Sequence, residues 1–346
     1  MESYPNSPGT TSDRINLTGE VYGSTSAVLD WQVKVVDYVF IPMLFTVGVV
    51  GNSLTIRVMI MRQCWILSVS RFLVALSLSD LTVNLMSPFN EPLVHSLLGA
   101  DPRATSVGGC KFFFWLYRVG KYSSAWLVVM ISSERFVAVW LPTKAKFINT
   151  NRKANISIFL MYGVFSFYLA YYTNWSYTII DGKCTKDNVS WEREDQAAVL
   201  DLVGLSIYVL IPMASLVVLT GLIIYKLIGL IKKSRCQIRD DAQAGNMGRC
   251  QRDSFFRTTQ MLIAISLAFV ILEIPSTVSH LISSIRNENI FDSDDLSMVI
   301  YKKMASIMEQ LNHSINFVLY ILTCGTFRTR VFSLFRKKRS GMVNPK

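Results

Sequence analysis

The chain is poor in charged residues and in histidine. These shortages reduce the range of functions that the chain can have. Asp, Glu, Lys and Arg make up 17% of its 346 residues, whereas a soluble domain usually carries about 25%. The histidines, His95, His280 and His313, fall in three different apolar segments. The sequence also lacks a glycine-rich phosphate loop and any metal-ligand spacing of its cysteines. We therefore expect no enzyme and no cofactor.

Long apolar segments are what the chain has instead. Each is long enough for a transmembrane helix of about 20 residues, and none shows the alternation of a membrane β-barrel. The segments lie at about 36–61, 69–98, 108–140, 154–175, 197–231, 257–286 and 298–323. They predict an all-α membrane protein, a seven-transmembrane helix bundle, rather than a soluble helical bundle.

Charge is distributed unevenly between the two ends of these segments. The formal net charge is +11, and basic residues cluster after the first, third, fifth and seventh segments, while acidic residues cluster after the fourth and sixth. By the positive-inside rule, the N-terminus lies outside and the C-terminus in the cytosol. The predicted parts are an extracellular tail (1–35), a transmembrane domain (36–323) and a cytoplasmic helix and tail (324–346). We attribute the basic surplus to topology and to anionic lipids, not to nucleic acid.

The regions predicted to lie outside carry two cysteines and three glycosylation sequons. Cys110 and Cys184 face the oxidising side, which predicts a disulfide; the alternative is two unpaired thiols. β-branched residues before Asp181 and Gly182 predict a hairpin next to Cys184. The sequons are at Asn16, Asn174 and Asn188.

A short amphipathic segment follows the last apolar one. One helical face carries apolar residues and the opposite face carries arginines. The apolar residues are Phe327, Val331, Leu334 and Phe335. This pattern predicts a short C-terminal helix lying on the inner leaflet.

Several short motifs occur in order along the apolar segments. They are Gly51-Asn52, Leu76-Ser77-Leu78-Ser79-Asp80, Cys110 with Cys184, Glu134-Arg135-Phe136, Pro212, Pro275 and Asn316-Phe317-Val318-Leu319-Tyr320. The set resembles the rhodopsin-like G-protein-coupled receptor family over about residues 36–338. The resemblance implies a plasma-membrane receptor that transmits ligand binding to a heterotrimeric G protein. The alternatives are an atypical receptor with a non-peptide ligand or without G-protein signalling, and a membrane transporter, which inverted repeats would support.

Two departures from the family pattern point to a narrower group. Phe317 stands where the family usually has proline, and Glu273 stands where it usually has the tryptophan of helix 6. This combination resembles invertebrate neuropeptide receptors of the FMRFamide and myosuppressin types. It implies a peptide ligand.

The resemblance also implies roles for residues of the inner half. Glu134 is expected to pair with Arg135 at rest, and the implied G-protein switch consists of Glu134, Arg135, Phe136 and Tyr320. A carboxylate in mid-membrane, such as that of Asp80, is costly to bury and therefore indicates a function. By the resemblance, Asp80 binds Na⁺ as an allosteric ion with Asn52, Ser124, Asn312 and Asn316. The alternative is a protonated, hydrogen-bonded structural aspartate.

A lysine in the outer half of the third segment is the most distinctive charge. Lys121 precedes Arg135 by about 21 Å of helix, and an unpaired charge there costs several kcal/mol. We predict a buried pair of Lys121 with Glu273, with Glu309 as second acid; the alternative is a lysine in a wet pocket without an acid. The candidate ligand pocket comprises Glu91, Tyr117, Arg118, Lys121, Asp201, Glu273, His280 and Glu309. Its mixed charges favour a peptide whose guanidinium group binds Glu91, Asp201 or Glu273.

Overall fold

A computed structural model describes residues 36–65, 67–90, 92–186, 194–237, 246–286 and 296–336. The long helices of the bundle are α1 (Ile41–Met59), α2 (Ser68–Met86), α3 (Val107–Trp140), α4 (Asn151–Ser176), α5 (Ile211–Gln237), α6 (Asn246–Arg286) and α7 (Leu296–Thr323). A shorter helix, α8 (Gly325–Arg336), follows α7. Further short helices are Arg62–Trp65, Ser87–Asn90, Pro92–Leu98, Pro102–Thr105, Pro142–Ile148 and Glu194–Leu205. The predicted all-α bundle of seven long helices is confirmed.

The outside of the bundle is apolar, as lipid requires. On α4, the side chains of Phe159 and Phe167 are 77% and 82% exposed. In water such large exposed apolar groups would mark a binding surface. Within the described ranges, five helices are long and apolar enough to cross a bilayer unaided, and α3 is not among them. We attribute this to Arg118 and Lys121, the charges near the middle of α3.

The fifth helix contains the family's proline, Pro212, whereas the seventh has Phe317 at its proline position, and the two helices differ in shape. A π-helical stretch, Ser206–Leu210, precedes α5, and Pro212 is the second residue of α5. Because proline lacks an N–H, the ordinary helical bond back to residue 208 cannot form, and a wider turn absorbs the mismatch. By contrast, α7 continues without a break through Phe317. Phe317 requires a glycine opposite it, since a Cβ on Gly51 would lie 2.8 Å from the Cβ of Phe317.

The predicted hairpin follows α4 directly. Strand β1 (Tyr177–Ile180) pairs antiparallel with β2 (Lys183–Lys186), and Ile179 is opposite Cys184. Asp181 and Gly182 have φ values of 49° and 71°, as both central residues of a type I′ turn must have positive φ. The hairpin prediction is confirmed.

Helix α8 leaves the bundle at a sharp angle. The segments Ile300–Thr323 and Gly325–Phe335 are bent by 100° relative to each other. Phe327 and Val331 of α8 are buried against the bundle, and Phe335 is exposed. The helix therefore lies across the end of the bundle that carries Arg135, which we call the arginine end; the opposite end is the disulfide end.

Candidate functional site

Lys121 forms an ion pair in the middle of the bundle, between α3 and α7. Its Nζ contacts Glu309 Oε1, and the two side chains are only 13% and 16% exposed. Ser276 on α6 donates a hydrogen bond to the other carboxylate oxygen at 3.2 Å. The ammonium group also lies 4.9 Å from the ring centre of Tyr208 and 5.4 Å from that of Tyr117. Aromatic faces and a carboxylate together compensate the cost of burying this cation.

The predicted pairing of Lys121 with Glu273 is wrong, because Glu309 takes the lysine. Glu273 is fully buried and accepts a hydrogen bond from Asn312 Nδ2 at 2.9 Å. Its second oxygen, Oε2, has no hydrogen-bond partner among the described residues. Glu273 and Ser276 lie one turn apart on α6, as do Glu309 and Asn312 on α7, so the two carboxylates are neighbours. When all three groups are ionised, the cluster of Lys121, Glu273 and Glu309 (the charge cluster) carries one net negative charge.

Arg118 does not join the charge cluster, although the sequence predicted it in the pocket. Its Nη2 donates to Tyr177 Oη at 2.7 Å, and its guanidinium lies 4.7 Å from the ring centre of Tyr172. Arg118 therefore ties α3 to α4 and β1. Of the other predicted pocket residues, His280 is half-buried on α6. Glu91 and the side chain of Asp201 lie outside the described residues.

Asp80 is the centre of a second buried polar site, closer to the arginine end. Its Oδ1 accepts hydrogen bonds from Ser124 Oγ at 2.6 Å and His313 Nδ1 at 2.8 Å. Its Oδ2 accepts one from Asn316 Nδ2 at 2.7 Å. Three donors from two helices therefore fill about three of the four acceptor positions of a carboxylate.

This donor set does not fit the Na⁺ ion that the family pattern implies. A hard cation needs oxygen lone pairs directed at it, whereas Asp80 meets N–H and O–H donors. Asn312, a predicted ligand, binds Glu273 instead, and the Asn52 amide donates to the backbone oxygen of His313 at 3.0 Å. Of the four residues predicted to bind sodium together with Asp80, two, Ser124 and Asn316, contact its carboxylate, and both do so as hydrogen-bond donors.

At the disulfide end, Cys110 and Cys184 form a disulfide with a Cα–Cα distance of 5.6 Å. Asp101, before the short helix Pro102–Thr105, braces it: its Oδ2 accepts from the Cys184 amide at 2.9 Å, and Arg103 Nη2 donates to the same oxygen at 2.8 Å. Burial alone would raise the pKa of Asp101. The hydrogen bonds from Arg103 and Cys184 outweigh burial and hold that pKa well below its usual range.

At the arginine end, contacts are looser. Arg135 Nη2 lies 3.8 Å from Glu134 Oε2, which is too long for a hydrogen bond. Glu134 also accepts a hydrogen bond from Ser68 Oγ. The buried hydroxyl of Tyr320 has no hydrogen-bond partner among the described residues. Phe136 stacks on Trp140 with ring centres 5.8 Å apart.

Comparison with known proteins places this arrangement in a family. Residues 51–324 match the 7 transmembrane receptor (rhodopsin family). The chain belongs to this family. The receptor is similar to human neuromedin-U receptor 2, with 24% identity over 326 residues that cover 90% of this chain and 74% of the relative. It is also similar to galanin receptor 2a of Danio rerio (24% identity; 86% and 77% covered) and neurotensin receptor type 1 of Mus musculus (24%; 82% and 72%). The narrower likeness to FMRFamide-type receptors stays a prediction.

Three residues of these polar sites, His313, Asp101 and Arg103, were not predicted from the sequence. His313 follows Glu309 by four residues and precedes Asn316 by three, so a helical-face count on α7 could have found it. Asp101 and Arg103 lie in a connection between helices, where no periodicity applies. Of the predicted glycosylation sites, Asn174 is exposed in the last turn of α4, and Asn16 and Asn188 lie outside the described residues. Glycosylation stays a prediction at all three.

Proposed function

We propose that the receptor lies in the plasma membrane with its N-terminus outside, binds an extracellular peptide at the disulfide end and activates a heterotrimeric G protein at the arginine end. The orientation is supported by the disulfide, which forms in oxidising compartments, and by the basic connections at the other end. The peptide is supported by the relatives, whose names refer to neuromedin-U, galanin and neurotensin.

The charge cluster is the observation that carries the mechanism. Within the described part of the chain, Lys121 contacts one acid, Glu309, and one oxygen of Glu273 has no hydrogen-bond partner. A net negative cluster attracts a cationic group, and a guanidinium forms the strongest, bidentate bonds with carboxylates. We infer that the guanidinium of an arginine-bearing peptide binds a carboxylate of this cluster. On binding, one acid would pair with the ligand and the other with Lys121.

Glu273 connects such an event to the arginine end. It lies two residues before Pro275 on α6, where the helix lacks one backbone hydrogen bond. A shift of Glu273 therefore acts where α6 bends most readily. Outward movement of α6 at the arginine end, together with release of the loose Glu134–Arg135 contact, would open the site for the G protein. The ligand needs only to prefer the open state to shift an existing equilibrium toward it.

The experiment that tests this function is a signalling screen. The receptor is expressed with a promiscuous G protein and challenged with amidated neuropeptides, half of them containing arginine, while calcium release is recorded. Arg135→Ala, with its surface level measured, is the signalling control. A response to arginine-bearing peptides that is lost in Arg135→Ala is the expected result. Silence across the library at normal surface expression would contradict the peptide proposal and favour an atypical receptor.

A further inference from the structure

The imidazole of His313 occupies a fixed position at the buried carboxylate of Asp80. His313 is 1% exposed and Asp80 is fully buried. The backbone oxygen of His313 accepts hydrogen bonds from the side-chain amides of Asn52 and Asn84, each at 3.0 Å. Two amides from α1 and α2 therefore anchor the turn of α7 from which the imidazole reaches Asp80.

The side chains that bond this carboxylate do so through donor groups. Ser124 and Asn316 donate to it as well, and the Asn52 side-chain oxygen, which could face a cation, has no hydrogen-bond partner among the described residues. A small cation would need to displace the imidazole to gain Oδ1 and would leave His313 buried with neither ring nitrogen paired, because Nε2 already has no partner there. Burial of an unpaired polar nitrogen costs about 1–3 kcal/mol.

We propose that His313 takes the place at Asp80 that a sodium ion would fill, so that the polar core of this receptor is independent of Na⁺. Against an ionised carboxylate of Asp80, Nδ1 carries its proton whether or not the ring carries a second one, so the donor is present in both forms of the ring. The proposal does not depend on the identity of the ligand or on G-protein coupling. In such a receptor an internal hydrogen-bond donor occupies the position at Asp80, so occupancy of this position does not depend on the sodium concentration outside the cell.

The test compares thermal unfolding of the purified full-length receptor in sodium chloride and in choline chloride at equal ionic strength. The wild-type protein is expected to unfold at the same temperature in both salts. His313→Ser replaces the N–H donor by a small hydroxyl whose oxygen can face a cation. This variant is expected to unfold at a higher temperature in sodium chloride than in choline chloride.

Two controls make each outcome decisive. Asp80→Asn added to His313→Ser should abolish the response to sodium, because it removes the charge that holds the ion. His313→Asn, which supplies an amide oxygen, is the second variant in case the serine variant fails to fold, and it should respond like the serine variant.

Two outcomes would overturn the proposal that His313 excludes sodium. A sodium-dependent rise in the unfolding temperature of the wild type that disappears in Asp80→Asn would show that the ion binds despite the imidazole. Folded serine and asparagine variants that ignore sodium would show that the imidazole is not what excludes it.

Discussion

Two buried acidic sites lie in one bundle, and they differ in how completely their carboxylates are satisfied. Asp80 accepts hydrogen bonds from three side chains, so that each of its two oxygens has at least one donor. The charge cluster of Lys121, Glu273 and Glu309 has two acids for one lysine, and one oxygen of Glu273 has no partner among the described residues.

The difference separates a structural role from a functional one. Both oxygens of Asp80 accept hydrogen bonds, which favours a rigid core around this carboxylate. A cluster with an excess charge is costly by itself and gains when a complementary group arrives. We therefore expect substitutions at Asp80 to act on stability, and substitutions at Glu273 to act on ligand response.

The largest expected effect is that of Lys121→Met, which leaves two acids in the core without a cation. Breaking one side of a buried pair costs about 3–5 kcal/mol, measured as the change in the free energy of unfolding. The matched control is Lys111→Met on the same helix, since within the described ranges the Lys111 amine donates to the exposed Asn174 at 3.2 Å. A loss of about 0.5 kcal/mol or less is expected there. Equal losses in both variants would show that Lys121 is not buried in an ion pair.

Next comes Asp80→Asn, which keeps the shape of the side chain but removes its charge. Hydrogen bonds to a charged group contribute about 1.5–3 kcal/mol each, and the new amide also places a donor against existing donors. We expect a loss of about 1–3 kcal/mol in unfolding free energy and little change in the potency of an agonist. Ser133→Ala is the control, because the Ser133 hydroxyl donates a local hydrogen bond to the backbone oxygen of Val129 in the preceding turn of α3. Full stability of Asp80→Asn would contradict a structural role.

Asp101 is a hydrogen-bonded carboxylate that lies outside the long helices of the bundle, and the stability it contributes should depend on pH. Its pKa is lowered in the folded state, so its contribution is complete above the unfolded value of about 4 and is lost as pH falls through the lowered value. Asp101→Asn should cost about 1–2 kcal/mol. Because His95 Nε2 lies 3.5 Å from Asp101 Oδ1, the comparison is made in a His95→Gln background. There the gap in unfolding free energy caused by Asp101→Asn should be constant from about pH 5 to 8 and should narrow in acid. A gap that widens in acid would contradict this account.

The smallest stability effect is expected for Glu273→Gln. The substitution removes repulsion with Glu309 and keeps an oxygen for Asn312, so unfolding free energy should change by less than about 1 kcal/mol. Agonist potency should fall about tenfold, equivalent to about 1.4 kcal/mol of binding. The reverse pattern, a large stability loss with unchanged potency, would make Glu273 structural and remove its role in the ligand site.

The features that depend on local sequence pattern could be predicted from the sequence. The Asp181-Gly182 turn follows from the positive φ that both residues tolerate, and the Cys110–Cys184 pair follows from topology. The sequence also predicted the buried lysine and both acids near it. It chose the wrong acid, Glu273, because a helical count gives depth in the membrane but not the rotation of α6 relative to α7.

Two contacts had no signal in the sequence, for related physical reasons. Arg118 stays a prediction as a residue of the ligand pocket, and no pattern in α3 indicates that Tyr172 and Tyr177 contact its long side chain. Asn312 was expected at Asp80, yet it lies one turn after Glu309 and reaches Glu273. Contacts between helices depend on rotations of a few tens of degrees, which a single sequence does not encode locally.

The central claim is that Lys121 is bound to Glu309 and that Glu273 is the acid left over for the ligand. Two double-mutant cycles on unfolding free energy test it most directly, one combining Lys121→Met with Glu309→Gln and one combining Lys121→Met with Glu273→Gln. The account predicts a coupling energy of about 1–3 kcal/mol for Lys121 with Glu309 and a clearly smaller one for Lys121 with Glu273. A larger coupling with Glu273, or additive effects with Glu309, would contradict it.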